Sequence, residues 1–146
     1  MKVKTTMAKN IIFIPCVPSK HLSDVDNYKE LSLNTWKYYA NKIGAELMIM
    51  DTPLRNPDEM KITWQRWYVH EILNNNKIDY ENIFMVDVDT MIHWDAPNIF
   101  EECVNGKFRA CVDNDNLGWL KESIEGYQHM FPDTKVDWEP YFNCGV

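Results

Sequence analysis

The chain has 146 residues, enough for one domain, and its hydrophobic fraction of 45% can fill a core. Its formal net charge of -7 argues against a nucleic-acid partner, because phosphate binding needs clustered Lys and Arg. No segment is long and apolar enough to span a bilayer, and the scattered basic residues form no membrane patch.

The N-terminal "MKVKTTMAKNIIFIPCVP" places lysines before an apolar stretch, as a secretory signal does. That stretch is short and broken by Pro15 and Pro18, so it reads as a first strand and the protein as cytoplasmic. "NIIFIPCV" is continuously apolar and β-branched, the pattern of a central strand covered on both faces. After the polar "PSKHLSDVDNY", Leu33, Trp36, Ala40 and Ile43 recur at helical spacing, and Gly44 stands where a helix end wants a left-handed residue. "AELMIMD" reads as a second buried strand and "TPLRNPDE" as a loop.

"KITWQRWYVHEILNNN" reads as a second helix, with Trp64, Tyr68 and Ile72 one above another and the asparagines ending it. Aromatic residues at that spacing are taken as core rather than as a sugar-stacking platform. "NIFMVDVD" is a third strand that buries Ile83, Phe84, Met85 and Val86. Strand, helix, strand, helix, strand is the alternation of an α/β domain with a parallel sheet.

Further on, "APNIFEECV" reads as a short helix with Pro97 in its first turn, "FRACVDND" as a strand and "LGWLKESIEGYQHM" as a helix. "YFNCGV" begins another strand, where the sequence stops. Without repeat or linker, 1–146 is expected to be a single domain, and an unfinished last strand would favour homo-oligomers through that edge. Cys16, Cys103, Cys111 and Cys144 show no CxxC spacing, so they read as reduced, mostly buried thiols rather than a zinc site.

Three D-x-D triplets occur, so the triplet itself discriminates nothing. Asp24/Asp26 lies in a polar loop where a helix cap is the ordinary explanation, and Asp113/Asp115 fits a turn. Asp87/Asp89 differs because it directly follows four apolar residues at a strand end. Strand alternation would point both carboxylates to one side and Val88 away. Two carboxylates at the carboxyl end of a parallel strand suit Mg²⁺ or Mn²⁺, which then carries a diphosphate. The ordinary alternative is a solvated turn capping the next element.

Four stretches, in order, resemble glycosyltransferase family 8 of the GT-A fold, which includes bacterial lipopolysaccharide galactosyltransferases and glycogenin. "DNYKELSLNTWKYYANK" is similar to the segment after the first strand that touches the nucleotide, and "ITWQRWYVHEIL" to a helix carrying an arginine near the donor. "IFMVDVDTMI" is similar to the D-x-D strand, and "ACVDND" with "YFNCGV" to the sugar-binding segments. The resemblance implies a Rossmann-like α/β/α sandwich with a mostly parallel central sheet, of which this chain would be the N-terminal portion. The family pattern continues with a histidine metal ligand and a Gly/Lys stretch, neither of which follows Val146.

The same resemblance implies roles for individual residues. Asp89 would coordinate a divalent cation, Mn²⁺ or Mg²⁺, and Asp87 would share the metal or hold the donor's ribose. Asp26 and Asn27 would lie near the uracil or ribose, with the peptide from Pro15 to Val17 flanking the base. Arg66 would hydrogen-bond the donor sugar or steady Asp87. Asp113 and Asn143 would hydrogen-bond sugar hydroxyls, and Gly145 would let the backbone approach. His93, beside Trp94, reads as structural.

The implied activity is transfer of a hexose from a nucleotide sugar, a UDP-sugar above all, to a glycan or lipid-linked acceptor. Two alternatives stand beside it. One is a nucleotide-sugar-binding domain without turnover. The other is a phosphatase similar to the haloacid dehalogenases, although those carry their motif on the first strand, and here Met91 stands where they have Thr or Val.

Overall fold

A computed structural model describes residues 9–17, 25–102, 106–112, 117–130, 132–134 and 142–143. The chain divides into two compact units, Met1–Lys107 and Phe108–Val146.

The first unit is built on three parallel strands in the order β2-β1-β3: β1 is Lys9–Pro15, β2 is Glu46–Met50 and β3 is Tyr80–Met85. The long helix α1, Val25–Ile43, joins β1 to β2. Two shorter helices, α2 at Ile62–Gln65 and α3 at Val69–Asn75, precede β3. This is the mixed α/β class that the alternation of patterns predicts.

The central strand explains the layers. Ile11, Ile12, Phe13 and Ile14 are all fully buried. Ile12 and Ile14 point to one face, where they pack with Trp36, Tyr39 and Ala40 of α1 and with Val86 and Val88. Ile11 and Phe13 point to the other, with Met50 and with Val69 and Leu73 of α3. Period-2 alternation thus divides one apolar run between two cores, each covered by a helix. Each such side chain contributes about 1.5–3 kcal/mol through burial.

Both long helical segments end the same way. Gly44 adopts φ 71°, its N–H reaches the Asn41 carbonyl at 3.4 Å, and the Ala45 N–H reaches Ala40 at 2.9 Å. This is a Schellman end, as the glycine predicts. At the end of α3 the left-handed residue is Lys77, with φ 55°, rather than an asparagine. Lys77 N–H bonds Asn74 at 3.0 Å and Ile78 N–H bonds Leu73 at 2.9 Å. Asn76 instead donates its side-chain amide back to the Ile72 carbonyl at 2.8 Å.

Several expectations change. The stretch 62–75 is not one helix: a 3₁₀ turn, Arg66–Tyr68, separates α2 from α3. The buried face is also the neighbouring one, with Gln65, Arg66, Val69 and Leu73 buried, while Trp64 and Trp67 stand 48% and 46% exposed. Ile83, Phe84 and Met85 are only half-buried, because β3 lies at an edge of the sheet among the described residues. "APNIFEECV" forms a 3₁₀ turn at Ile99–Glu102, with Pro97 before it.

In the second unit, β4 at Cys111–Val112 pairs antiparallel with β5 at Phe142–Asn143, and α4 spans Leu117–Gln128. The strand expected in "FRACVDND" is thus two residues long. Cys16 is buried as expected, but Cys111 is an exposed free thiol. Cys103 and Cys144 lie outside the described residues. No helix among the described residues is long and apolar enough to cross a membrane.

Candidate functional site

The strand order fixes where a ligand would sit. From β1 the chain moves to one side for β2, then crosses to the other side for β3. Open α/β sheets bind ligands outside the carboxyl ends of the strands at such a reversal. Here those ends are Pro15 on β1 and the residues that follow Met85 on β3.

On the β1 side the ladder runs slightly past the strand, since the Cys16 N–H donates to the Met50 carbonyl at 2.8 Å. Pro15 and Val17 are buried, Val17 to 4% exposure. A base at this edge would therefore meet backbone rather than these side chains. On the β3 side, the Val86 N–H donates to the Phe13 carbonyl at 3.1 Å. With Phe13 registered on Met85, extending the register sets Pro15 level with Asp87.

Strand pairing then stops. Thr90 N–H donates to the Asp87 carbonyl at 3.2 Å, closing a β-turn with Val88 and Asp89 at its corner. Val86 and Val88 both enter the α1-side core, so alternation holds as far as Val88. It does not govern Asp89, which sits on the turn, so the expectation that strand geometry aligns both carboxylates is corrected. Asp89 is exposed and its carboxylate has no partner among the described residues.

Asp87 is held instead. Arg66 Nη2 lies 2.5 Å from Asp87 Oδ1, with the two side chains 9% and 31% exposed. Arg66 Nε also donates to the Thr63 carbonyl at 3.0 Å, which fixes the plane of the guanidinium. Of the two roles the resemblance implies for Arg66, this contact is the steadying of Asp87. It also removes a premise, because the guanidinium already offsets the charge of one carboxylate without an added cation.

Asp87 and Asp89 are the residues that could hold a cation. Among the described residues no group of three His, Cys, Asp or Glu could hold a metal. One solvent-facing carboxylate beside one arginine-bound carboxylate is too small a set to enclose an ion. It matches Mg²⁺ or Mn²⁺ bound through one or two carboxylates, with water and ligand phosphates completing the shell. His93 is not part of this set: its Nδ1 accepts the Asp95 N–H at 3.2 Å, and its ring lies 5.5 Å from Trp94.

The other expected site residues are elsewhere. Asp26 and Asn27 lie in the first turn of α1, not in a loop before it. An acidic residue suits the positive end of a helix dipole. Asn143 lies on β5, opposite Cys111, in the second unit. Asp113 and Gly145 fall outside the described residues. The first unit thus brings together Pro15, Val17, Arg66, Asp87 and Asp89.

Sequence reasoning missed two supports. Gln65 is fully buried, and its Oε1 accepts the Leu54 and Arg55 N–H groups at 2.7 and 3.0 Å. Its Nε2 donates to the Arg55 and Met60 carbonyls at 3.0 and 2.9 Å. The loop after β2 is therefore folded around the residue that precedes Arg66. The second support is Ser32, a buried hydroxyl on the apolar face of α1 that donates to the Thr90 carbonyl at 2.6 Å. Its position four residues before Trp36 was the available signal.

Comparison with known proteins finds no family model, no curated protein and no solved structure that matches this chain.

Proposed function

We propose that the chain is the nucleotide-sugar-binding part of a metal-dependent glycosyltransferase with a GT-A-type fold. It would transfer a hexose from a UDP-sugar to a glycan or lipid-linked acceptor. The observation that carries this reading is the placement of the exposed Asp89 and the arginine-held Asp87 at the reversal point of a β2-β1-β3 parallel sheet. The four sequence segments similar to glycosyltransferase family 8 give the reading its chemical direction.

On this reading Asp89 is the principal ligand of Mn²⁺ or Mg²⁺, and Asp87 contributes an oxygen or holds the ribose. A bound cation supplies Lewis-acid stabilisation of the negative charge that grows on the departing diphosphate. The backbone from Pro15 to Val17 borders the base. Asp26 and Asn27 contribute to the hold on the uracil or ribose, and the resemblance gives Asp113, Asn143 and Gly145 the sugar contacts. The exposed free thiol of Cys111 suits a cytoplasmic setting.

The phosphatase alternative is less well supported. It needs Asp87 as a nucleophile, whereas that carboxylate is bound to a guanidinium, which lowers its electron-donating power.

Calorimetric titration with UDP and Mn²⁺ tests the proposal. Binding that requires the metal, and that weakens at least about tenfold in Asp89→Ala, is the expected result. No heat of binding, or equal affinity in Asp89→Ala, would overturn it.

A further inference from the structure

The turn that carries Asp87 and Asp89 lies beyond the end of β3, so strand pairing does not hold it. Thr90 does. Its hydroxyl donates to the Asp87 carbonyl at 2.6 Å, and its N–H bonds the same oxygen at 3.2 Å. The carbonyl of Thr90 in turn accepts Ser32 Oγ at 2.6 Å and Trp36 Nε1 at 3.2 Å. Ser32 and Trp36 are one helical turn apart on the same face of α1, and both are buried, at 1% and 3% exposure. One residue thus closes the turn with its own donors and ties it to a buried helix face with its acceptor.

We propose that Ser32, Trp36 and Thr90 are positioning residues for the Asp87/Asp89 pair. They touch no ligand. They fix the backbone from which Asp89 projects, so that its carboxylate needs no ordering when a cation–diphosphate ligand arrives. This inference rests on the nucleotide-sugar reading and extends it to residues outside the binding surface. Ordering even one backbone residue on binding weakens affinity by roughly tenfold. Loss of the brace should therefore appear in ligand affinity, beyond any loss of stability.

The same helix supplies a control. Tyr39 Oη bonds Pro97 and Ile99, further along the same segment and well past the turn. Tyr39→Phe removes hydrogen bonds between the same two elements without touching Thr90.

The experiment is titration of the full chain with UDP and Mn²⁺, at a temperature where each variant is folded by circular dichroism. Thr90→Val keeps the shape of a half-exposed side chain and loses the hydroxyl, and Ser32→Ala removes one donor from the other end of the brace. Expected are an affinity about tenfold weaker for Thr90→Val, a weakening of about three- to tenfold for Ser32→Ala, and restoration in Thr90→Ser. Tyr39→Phe should lower the melting temperature without changing affinity. Wild-type affinity in both Thr90→Val and Ser32→Ala would overturn the inference alone. So would a loss in Tyr39→Phe as large as in Thr90→Val, which would make the effect one of general stability. A wild-type chain that binds no UDP with Mn²⁺ would remove the nucleotide-sugar reading, and this inference with it.

Discussion

The guanidinium of Arg66 meets the carboxylate of Asp87 at 2.5 Å, joining the 3₁₀ turn between α2 and α3 to the end of β3. Arg66 is 8% exposed, so its charge is largely out of water and its partner matters more than in a surface pair. Replacing either member removes a charge-assisted contact from the other. We expect Arg66→Met and Asp87→Asn each to cost about 1–3 kcal/mol. The double variant should cost clearly less than the sum. Urea denaturation of the four-member cycle measures this, and strict additivity would show that the pair does not act as a unit.

Gln65 offers a second test, because its side chain takes the place of backbone pairing for an irregular loop. Gln65→Leu keeps the bulk and deletes all four hydrogen bonds to Leu54, Arg55 and Met60. Part of the loss is recovered when the exposed loop turns to water, so the expected cost is about 1–3 kcal/mol. The loop 51–61 should also open locally. Faster trypsin cleavage after Arg55 and Lys61, at a temperature where the chain remains folded, is the expected signature.

The parts of this fold that were legible in the sequence are those that local pattern determines. Ile11 to Ile14 form an unbroken apolar run, and strand geometry then divides them between two faces without further information. Leu33, Trp36, Ala40, Ile43 and Gly44 specify α1 and its end in the same way. The helical reading of 62–75 missed the 3₁₀ turn at Arg66–Tyr68 and chose the face of Trp64, Tyr68 and Ile72 over that of Gln65, Val69 and Leu73. On the buried face Gln65 gathers backbone groups up to eleven residues away. No periodicity encodes such a contact. At the site, the strand-end context singled out Asp87 and Asp89, the family resemblance supplied Arg66, and the Arg66–Asp87 contact was one of the two roles it implied for the arginine. The tie between Ser32 and Thr90 spans 58 residues, and only the packing of α1 on the sheet creates it.

The two helix ends make a paired prediction of opposite sign. Gly44 and Lys77 both hold left-handed backbone, at φ 71° and 55°. No atom lies within 4 Å of where a Cβ on Gly44 would be, so a substitution there meets backbone strain and no clash. Gly44→Ala should therefore cost about 1 kcal/mol. Lys77→Gly should stabilise by about 0.5–1 kcal/mol, because it removes that strain, less the added freedom of the unfolded chain. Thermal denaturation of both variants gives the signs directly. If both destabilise, the left-handed geometry is not what sets the energy at Lys77.

Tyr39 anchors the far end of the segment that leaves the site. Its ring is 1% exposed and lies 6.0 Å, edge-on, from Trp36. Its hydroxyl donates to the Pro97 carbonyl at 2.6 Å and accepts the Ile99 N–H at 3.0 Å. Lys42 adds a second hold one helical turn on, donating to the Trp94 and Ala96 carbonyls, both at 3.1 Å. The two differ in setting, since Lys42 is exposed and water can replace it. Tyr39→Phe keeps the ring in place but removes both hydrogen bonds of its hydroxyl, and should cost about 1–3 kcal/mol. Lys42→Met keeps the stem and exposes the carbonyls to water, and should cost under about 1 kcal/mol. Denaturant midpoints that reverse this order would mean that the charge of Lys42, rather than the buried hydroxyl of Tyr39, holds the segment to α1.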